Sequence, residues 1–198
     1  MNLTHFKKQI FKISTPSEFE EMAIKLFNYQ VESNSFYKKY CTHLGINKKN
    51  IKSINNIPFL PIEFFKTEKI LCNNTNYQAY FNSSGTTSSK KSKHYIESLN
   101  FYEKTLLASF EKFWGNIRKY RFFCLTPKKK DAPTSSLIHM CSFFVEQTKN
   151  LGSGFYYKKL DKLAEDIKIS QKNDQPFILL GLSFAILDFS KKYKINLS

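Results

Sequence analysis

The sequence predicts an α/β protein, with a helical amino-terminal segment over residues 1–50 and alternating strands and helices over 51–198 that form a mainly parallel sheet. Three observations carry this. Residues 15–44 place apolar side chains at helical spacing. Farther on, short apolar runs such as RFFCL and FILLG take turns with amphipathic stretches. The 198 residues, 41% hydrophobic with 20 Phe and 11 Tyr, are enough for a real core and exclude a disordered polymer.

The elements follow in order. Thr15-Pro16-Ser17-Glu18 reads as a capping box, with Thr15 as N-cap, proline at the first helical position and Glu18 reaching back. Phe19, Ala23, Leu26 and Phe27 then recur on one helical face. A second short helix is expected from near Ser35, with Gly45 as its stop. In INNIPFLPIEFFKTEKI, residues 54–70, Pro58 and Pro61 exclude a regular helix across them. Its apolar residues predict an extended segment laid against a core, either as a buried connection or as a wall of a ligand cleft.

Residues 77–81 read as a strand entering a hydroxyl-rich loop. Asn100 is a candidate helix cap with Glu103 three residues on; Leu106, Phe110, Phe113 and Trp114 form the expected buried stripe, and Gly115 the stop. Strands follow at 120–125, 154–157 and 177–181, and helices at 135–146, 160–169 and 184–193.

The net charge of +15 comes almost entirely from lysine, since Arg118 and Arg121 are the two arginines. Nucleic-acid readers lean on arginine for bidentate contacts. Scattered lysines without a recognition helix favour a lysine-coated surface over a nucleic-acid partner. The four cysteines form no CxxC pair and no Cys/His cluster with zinc spacing. Cys124 and Cys141 lie in apolar runs and read as buried free thiols. MNLTHFKKQIFK has no apolar signal core, and no run nears the ~20 apolar residues of a membrane helix. The expected setting is cytoplasmic, with no membrane partner.

FNSSGTTSSKKSKHYI, residues 81–96, holds the strongest chemical signal. Loops at the carboxyl ends of strands are where α/β proteins take ligands, and backbone N–H groups there can wrap an anion. Gly85 allows a close turn, the hydroxyls from Ser83 to Ser89 are donors, and Lys90, Lys91 and Lys93 add charge. It is not a Walker A loop, because Lys90 stands where the second glycine is needed. The ordinary alternative is a solvated serine-lysine loop.

The order Ser83-Ser84-Gly85-Thr86-Thr87 resembles the signature loop of the adenylate-forming superfamily. With IPFLPIEFF before it, and SKHYI, SSLIHM, SGFYY and QPFILLGLSFAILDF after it, residues 50–193 resemble the acyl-protein synthetases (LuxE type), a bioluminescence-related ligase family akin to the phenylacetate-CoA ligases. The resemblance implies part of an adenylate-forming N-terminal domain, with ATP and magnesium as cofactors. It implies activation of a fatty acid carboxylate to acyl-AMP and transfer of the acyl group to a protein thiol. Ser83, Ser84, Gly85, Thr86 and Thr87 would cradle the β- and γ-phosphates, Thr87 would also contact magnesium, and Lys93 would match the loop lysine. His139 would border the acyl or nucleotide pocket, the alternative being a core histidine; Ser183 would approach the ligand, the alternative being a helix N-cap.

Two departures from the family pattern shape the expectation. Ser88 replaces the second loop glycine, which strains any positive φ required there. The family's later segments, including those for adenine and ribose and its acylated cysteine, would lie downstream of residue 198. The chain therefore reads as an amino-terminal fragment, inactive alone, whose partner is a complementary polypeptide or an acyl-accepting protein. Its strand at 177–181 is then expected to be an uncovered sheet edge. The competing readings are a non-enzymatic lysine-rich anion or nucleic-acid binder, and an inert partner in a fatty-acid-handling complex.

Overall fold

A computed structural model describes residues 1–73, 76–83 and 91–196. The chain divides into two compact units, Met1–Glu97 and Ser98–Ser198. Residues 51–97 therefore belong with the amino-terminal helices.

In the first unit, α1 (Leu3–Gln9) is followed by α2 (Pro16–Ser33) and α3 (Ser35–His43). The capping box forms as its residues dictate: the Thr15 hydroxyl accepts from the Glu18 N–H, and the Glu18 carboxylate accepts from the Thr15 N–H at 3.1 Å. Hydrogen bonds from the Ser14 backbone, then the Ser14 hydroxyl, hold the Glu18 carboxyl below its ordinary range. Asn34 ends α2 and caps α3, its side chain accepting from the Tyr37 N–H at 3.1 Å. Gly45, at φ 67°, turns the chain away as expected.

Phe27, Tyr37, Cys41 and Ile51 make the core of this unit, with Ile57 and Leu60 packed against it. The Tyr37 hydroxyl donates to the Pro58 carbonyl at 2.8 Å, tying the proline segment to α3. That segment is not extended throughout. Its polar and apolar residues close a 3₁₀ turn at Ile54–Asn56 and a one-turn helix, α4, at Phe64–Thr67. The two prolines confine irregular backbone to the piece between. Burial is also less than expected: Phe59 is 68% and Ile62 72% exposed.

The unit ends in a ribbon. β1 (Ala79–Asn82) pairs antiparallel with β2 (Lys93–Ile96), Tyr80 opposite Tyr95 and Asn82 opposite Lys93. The sequence reading places the hydroxyl-rich loop between a strand and a helix. Instead it connects two strands of a hairpin; KHYI after it is too short an alternation to announce a strand without its partner.

The second unit carries the parallel sheet. Helix α5 (Leu99–Trp114) precedes β3 (Arg121–Leu125), α6 (Ser136–Thr148), β4 (Gly154–Phe155), α7 (Leu160–Lys172), β5 (Phe177–Gly181) and α8 (Ser183–Lys192). The sheet order is β4-β3-β5, all parallel, with Arg121 opposite Phe177 and Leu125 opposite Gly181. Alternate residues of β3 face opposite sides. Phe123 and Leu125 join Leu163 and Ile167 of α7 and Ala185 and Phe189 of α8. Phe122 and Cys124 join Phe110 of α5 and Cys141 and Phe144 of α6. A strand covered on both faces reads as an unbroken apolar run, which is why RFFCL is so plain in the sequence.

Two details of this unit differ from expectation. Ser98, not Asn100, caps α5, its hydroxyl accepting from the Phe101 N–H at 3.2 Å. Asn100 thus lies inside the first turn. Leu106 and Phe110 face the core, but Phe113 is 80% and Trp114 60% exposed. Helical spacing gives a direction, while burial needs a covering neighbour. The rings of Tyr120, Phe122 and Phe144 cover Phe110, and the last turn of α5 runs past them. Among the described strands β5 is an edge, and all five of its residues are half-buried rather than fully buried.

Candidate functional site

Of the residues that resemble the phosphate loop, Ser84, Gly85, Thr86 and Thr87 lie outside the described residues. The structure places the residues that flank them. Ser83 follows β1 and extends the ladder: its N–H donates to the Ser92 carbonyl at 3.0 Å, and its hydroxyl accepts from the Ser92 N–H at 3.1 Å. Lys93 opens β2, exposed, with its Nζ 5.5 Å from the centroid of the Tyr80 ring. The ladder thus brings Ser83 and Lys93 to the same end of the ribbon.

Next to that end lies a cavity of about 430 Å³. One wall is α4 and the residues after it, with Lys66, Glu68 and Lys69; the other is the ribbon, with Asn82, Lys91 and Lys93. A loop signature in the sequence gives no hint of Lys66 and Lys69. They reach the site because Phe65 of α4 meets the His94 ring edge-on, centroids 6.4 Å apart, which seats the helix against β2. The signal that could have located them is FKTEK, two lysines at i and i+3 beside an aromatic anchor.

Lysine placement here is not random. Lys69 Nζ sits 5.0 Å from the Tyr77 ring centroid and 5.7 Å from that of Tyr95. Tyr77 and Tyr95 pack edge to face at 4.8 Å. The ring faces attract the ammonium groups without neutralising them. Electrostatically the cavity holds four lysines against one glutamate.

His139 and Ser183 belong to the second unit. His139 is buried on α6 and its Nε2 pairs with Glu103 Oε1 of α5 at 3.0 Å, with the Tyr102 ring edge-on at 5.9 Å. Burial first, and the Lys129 charge second, hold its pKa below the ordinary value; Glu103 pulls the other way. This is a satisfied core histidine bridging two helices. Ser183 is the exposed first residue of α8, and Leu182 is the N-cap, so Ser183 does not cap the helix. It does stand at the carboxyl end of β5. There α6, following β3, and α8, following β5, leave on opposite faces of the sheet. That makes the β3–β5 end a topological switch point, the usual place for a ligand in such sheets.

The thiols are poor nucleophile candidates. Cys124 and Cys141 are fully buried, and the Cys141 thiol together with burial pushes Cys124 up, while the same contact draws Cys141 down. Burial also raises Cys41 and Cys72. Among the described residues no group of three or more His, Cys, Asp or Glu side chains could hold a metal ion. Nor, among them, is any helix long and apolar enough to cross a membrane. Comparison with protein-family models, with curated proteins and with solved structures finds no match to this chain.

Proposed function

We propose that this chain is an adenylate-forming protein of the acyl-protein synthetase type, acting in ATP-dependent activation of a fatty acid carboxylate for transfer to a thiol. The observation that carries the reading is the order Ser83-Ser84-Gly85-Thr86-Thr87 followed by Lys93, with further similar segments in sequence on either side. The ribbon supports it by seating Ser83 and Lys93 at one end, beside a cavity lined by four lysines. In the reaction a carboxylate oxygen bonds to the α-phosphorus of ATP and the bond to pyrophosphate breaks. Charge accumulates on the departing pyrophosphate, and fixed donors and cations stabilise it. In this reading the loop hydroxyls and N–H groups hold the β- and γ-phosphates, Thr87 contacts magnesium, and Lys93 offsets negative charge. Within the second unit, Ser183 stands at the switch point of the parallel sheet, where α/β sheets take ligands.

The direct test is MgATP binding by calorimetry, comparing the wild-type chain with Thr87→Ala. The expected result is a loss of affinity of about tenfold or more with an unchanged melting curve. Equal binding by both proteins would remove the reading. ATP–pyrophosphate exchange that depends on one member of a fatty acid panel would identify the carboxylate.

A further inference from the structure

The cavity between α4 and the ribbon asks for a ligand of its own. Lys66, Lys69, Lys91 and Lys93 come to it from two separate stretches of chain, and Glu68 is the one acidic side chain on its wall. Among the described residues none of these four lysines forms an ion pair. Lysines on an open surface spread apart in solvent. Here ring contacts hold Lys69 on Tyr77 and Tyr95, and Lys93 on Tyr80. The tyrosines are themselves packed together, Tyr80 6.2 Å from Tyr95. The ammonium groups of Lys69 and Lys93 are therefore positioned before any ligand arrives, which lowers the ordering cost of binding.

The volume of about 430 Å³ suits a small molecule, for which sites span roughly 300–1,000 Å³. A singly charged anion would satisfy only part of this wall. We propose that the cavity is a binding site for a multivalent phosphate, held by Lys66, Lys69, Lys91 and Lys93 with the Thr67 hydroxyl and the Asn82 side chain beside them. The choice of phosphate over other polyanions rests on the adenylation reading; the charge pattern does not. Such a phosphate comes either free, as pyrophosphate, or as the polyphosphate arm of a nucleotide. Lysine is a point-charge phosphate binder, so the site recognises charge density rather than a planar group.

Calorimetry with pyrophosphate, ATP, AMP and citrate at low and physiological salt tests this, using the wild-type chain, the double variant Lys66→Gln/Lys69→Gln, and Thr87→Ala. Circular dichroism melting checks the fold of each. Pyrophosphate and ATP are expected to bind, AMP and citrate to bind at least about tenfold more weakly, and the double variant to lose about tenfold or more for both phosphates. Affinity should fall steeply with salt. ATP binding tighter than pyrophosphate assigns the site to a nucleotide arm; the reverse assigns it to free pyrophosphate. Citrate matching pyrophosphate, or an unchanged affinity in the double variant, overturns the proposal. If Thr87→Ala abolishes ATP binding while the double variant keeps it, this site fails and the adenylation reading stands. If the double variant loses pyrophosphate while Thr87→Ala keeps ATP, the site stands and that reading fails.

Discussion

In the second unit, four consecutive residues of β3, from Phe122 to Leu125, are completely shielded from solvent. In the first unit the core of Phe27, Tyr37, Cys41 and Ile51 sits among helices whose Phe19, Leu26 and Leu44 reach the surface. A central parallel strand is covered on both faces, whereas two paired helices cover one another along a single stripe each. The contrast extends to charge. The helical unit carries the lysine-lined cavity and the hydroxyl-rich loop sequence, while the sheet unit carries the paired core groups, His139 with Glu103 and Tyr156 with Asp166. Close packing and clustered positive charge are thus concentrated in different halves of the chain.

The largest expected effect is on the sheet. Leu125→Ala leaves a hole between β3 and the helices α7 and α8 and should cost about 2–5 kcal/mol, read from the urea midpoint. A smaller loss would mean that the sheet core relaxes into the space, and the contrast in rigidity would go with it. Next comes Gly181→Ala. An added Cβ would stand 2.9 Å from the Leu125 Cβ and 3.1 Å from its carbonyl oxygen. Backbone there cannot yield cheaply, so about 1–3 kcal/mol of destabilisation is expected.

The first unit depends more on local devices. Thr15→Ala removes the N-cap of α2 and should cost about 1 kcal/mol, seen in the same denaturation experiment. The buried pair in the second unit gives a pH effect of definite sign. His139 has a folded pKa below its ordinary value of 6.5, so the unfolded chain binds the proton more readily. Its contribution is present above about pH 6.5 and is lost as pH falls from there toward the folded pKa. Melting temperature should therefore drop between pH 7.5 and 5.5, with a shallower drop in His139→Gln. A rise on acidification that disappears in the variant would instead make the Glu103 ion pair the dominant partner. The smallest effect belongs to Phe113→Ser. At 80% exposure the ring should change stability by no more than about 0.5 kcal/mol. A larger loss would show that the end of α5 is covered in solution.

Much of this architecture is legible in the sequence. The Thr15–Glu18 box, the Gly45 and Gly115 stops and the FILLG strand depend on neighbours within a few residues. The β2 strand, the Ser98 cap and the exposure of Phe113 are not legible there, each because a competing residue or an absent neighbour decides the outcome. In the candidate site, Lys93 was legible from the loop pattern, while Lys66 and Lys69 were not, since they are distant in sequence from every residue of that loop.

By itself the sequence determined the α/β class, the order of the parallel strands along the chain and the helix caps that rest on adjacent side chains. These follow from periodicity and local hydrogen bonding, which a chain carries wherever it folds. Only the tertiary structure decided that β3 lies between β4 and β5, that residues 79–82 and 93–96 pair as an antiparallel ribbon, and that four lysines share one cavity. Strand pairing and charge clustering are relations between distant residues, and their energies exist only once the chain has closed the loops between them.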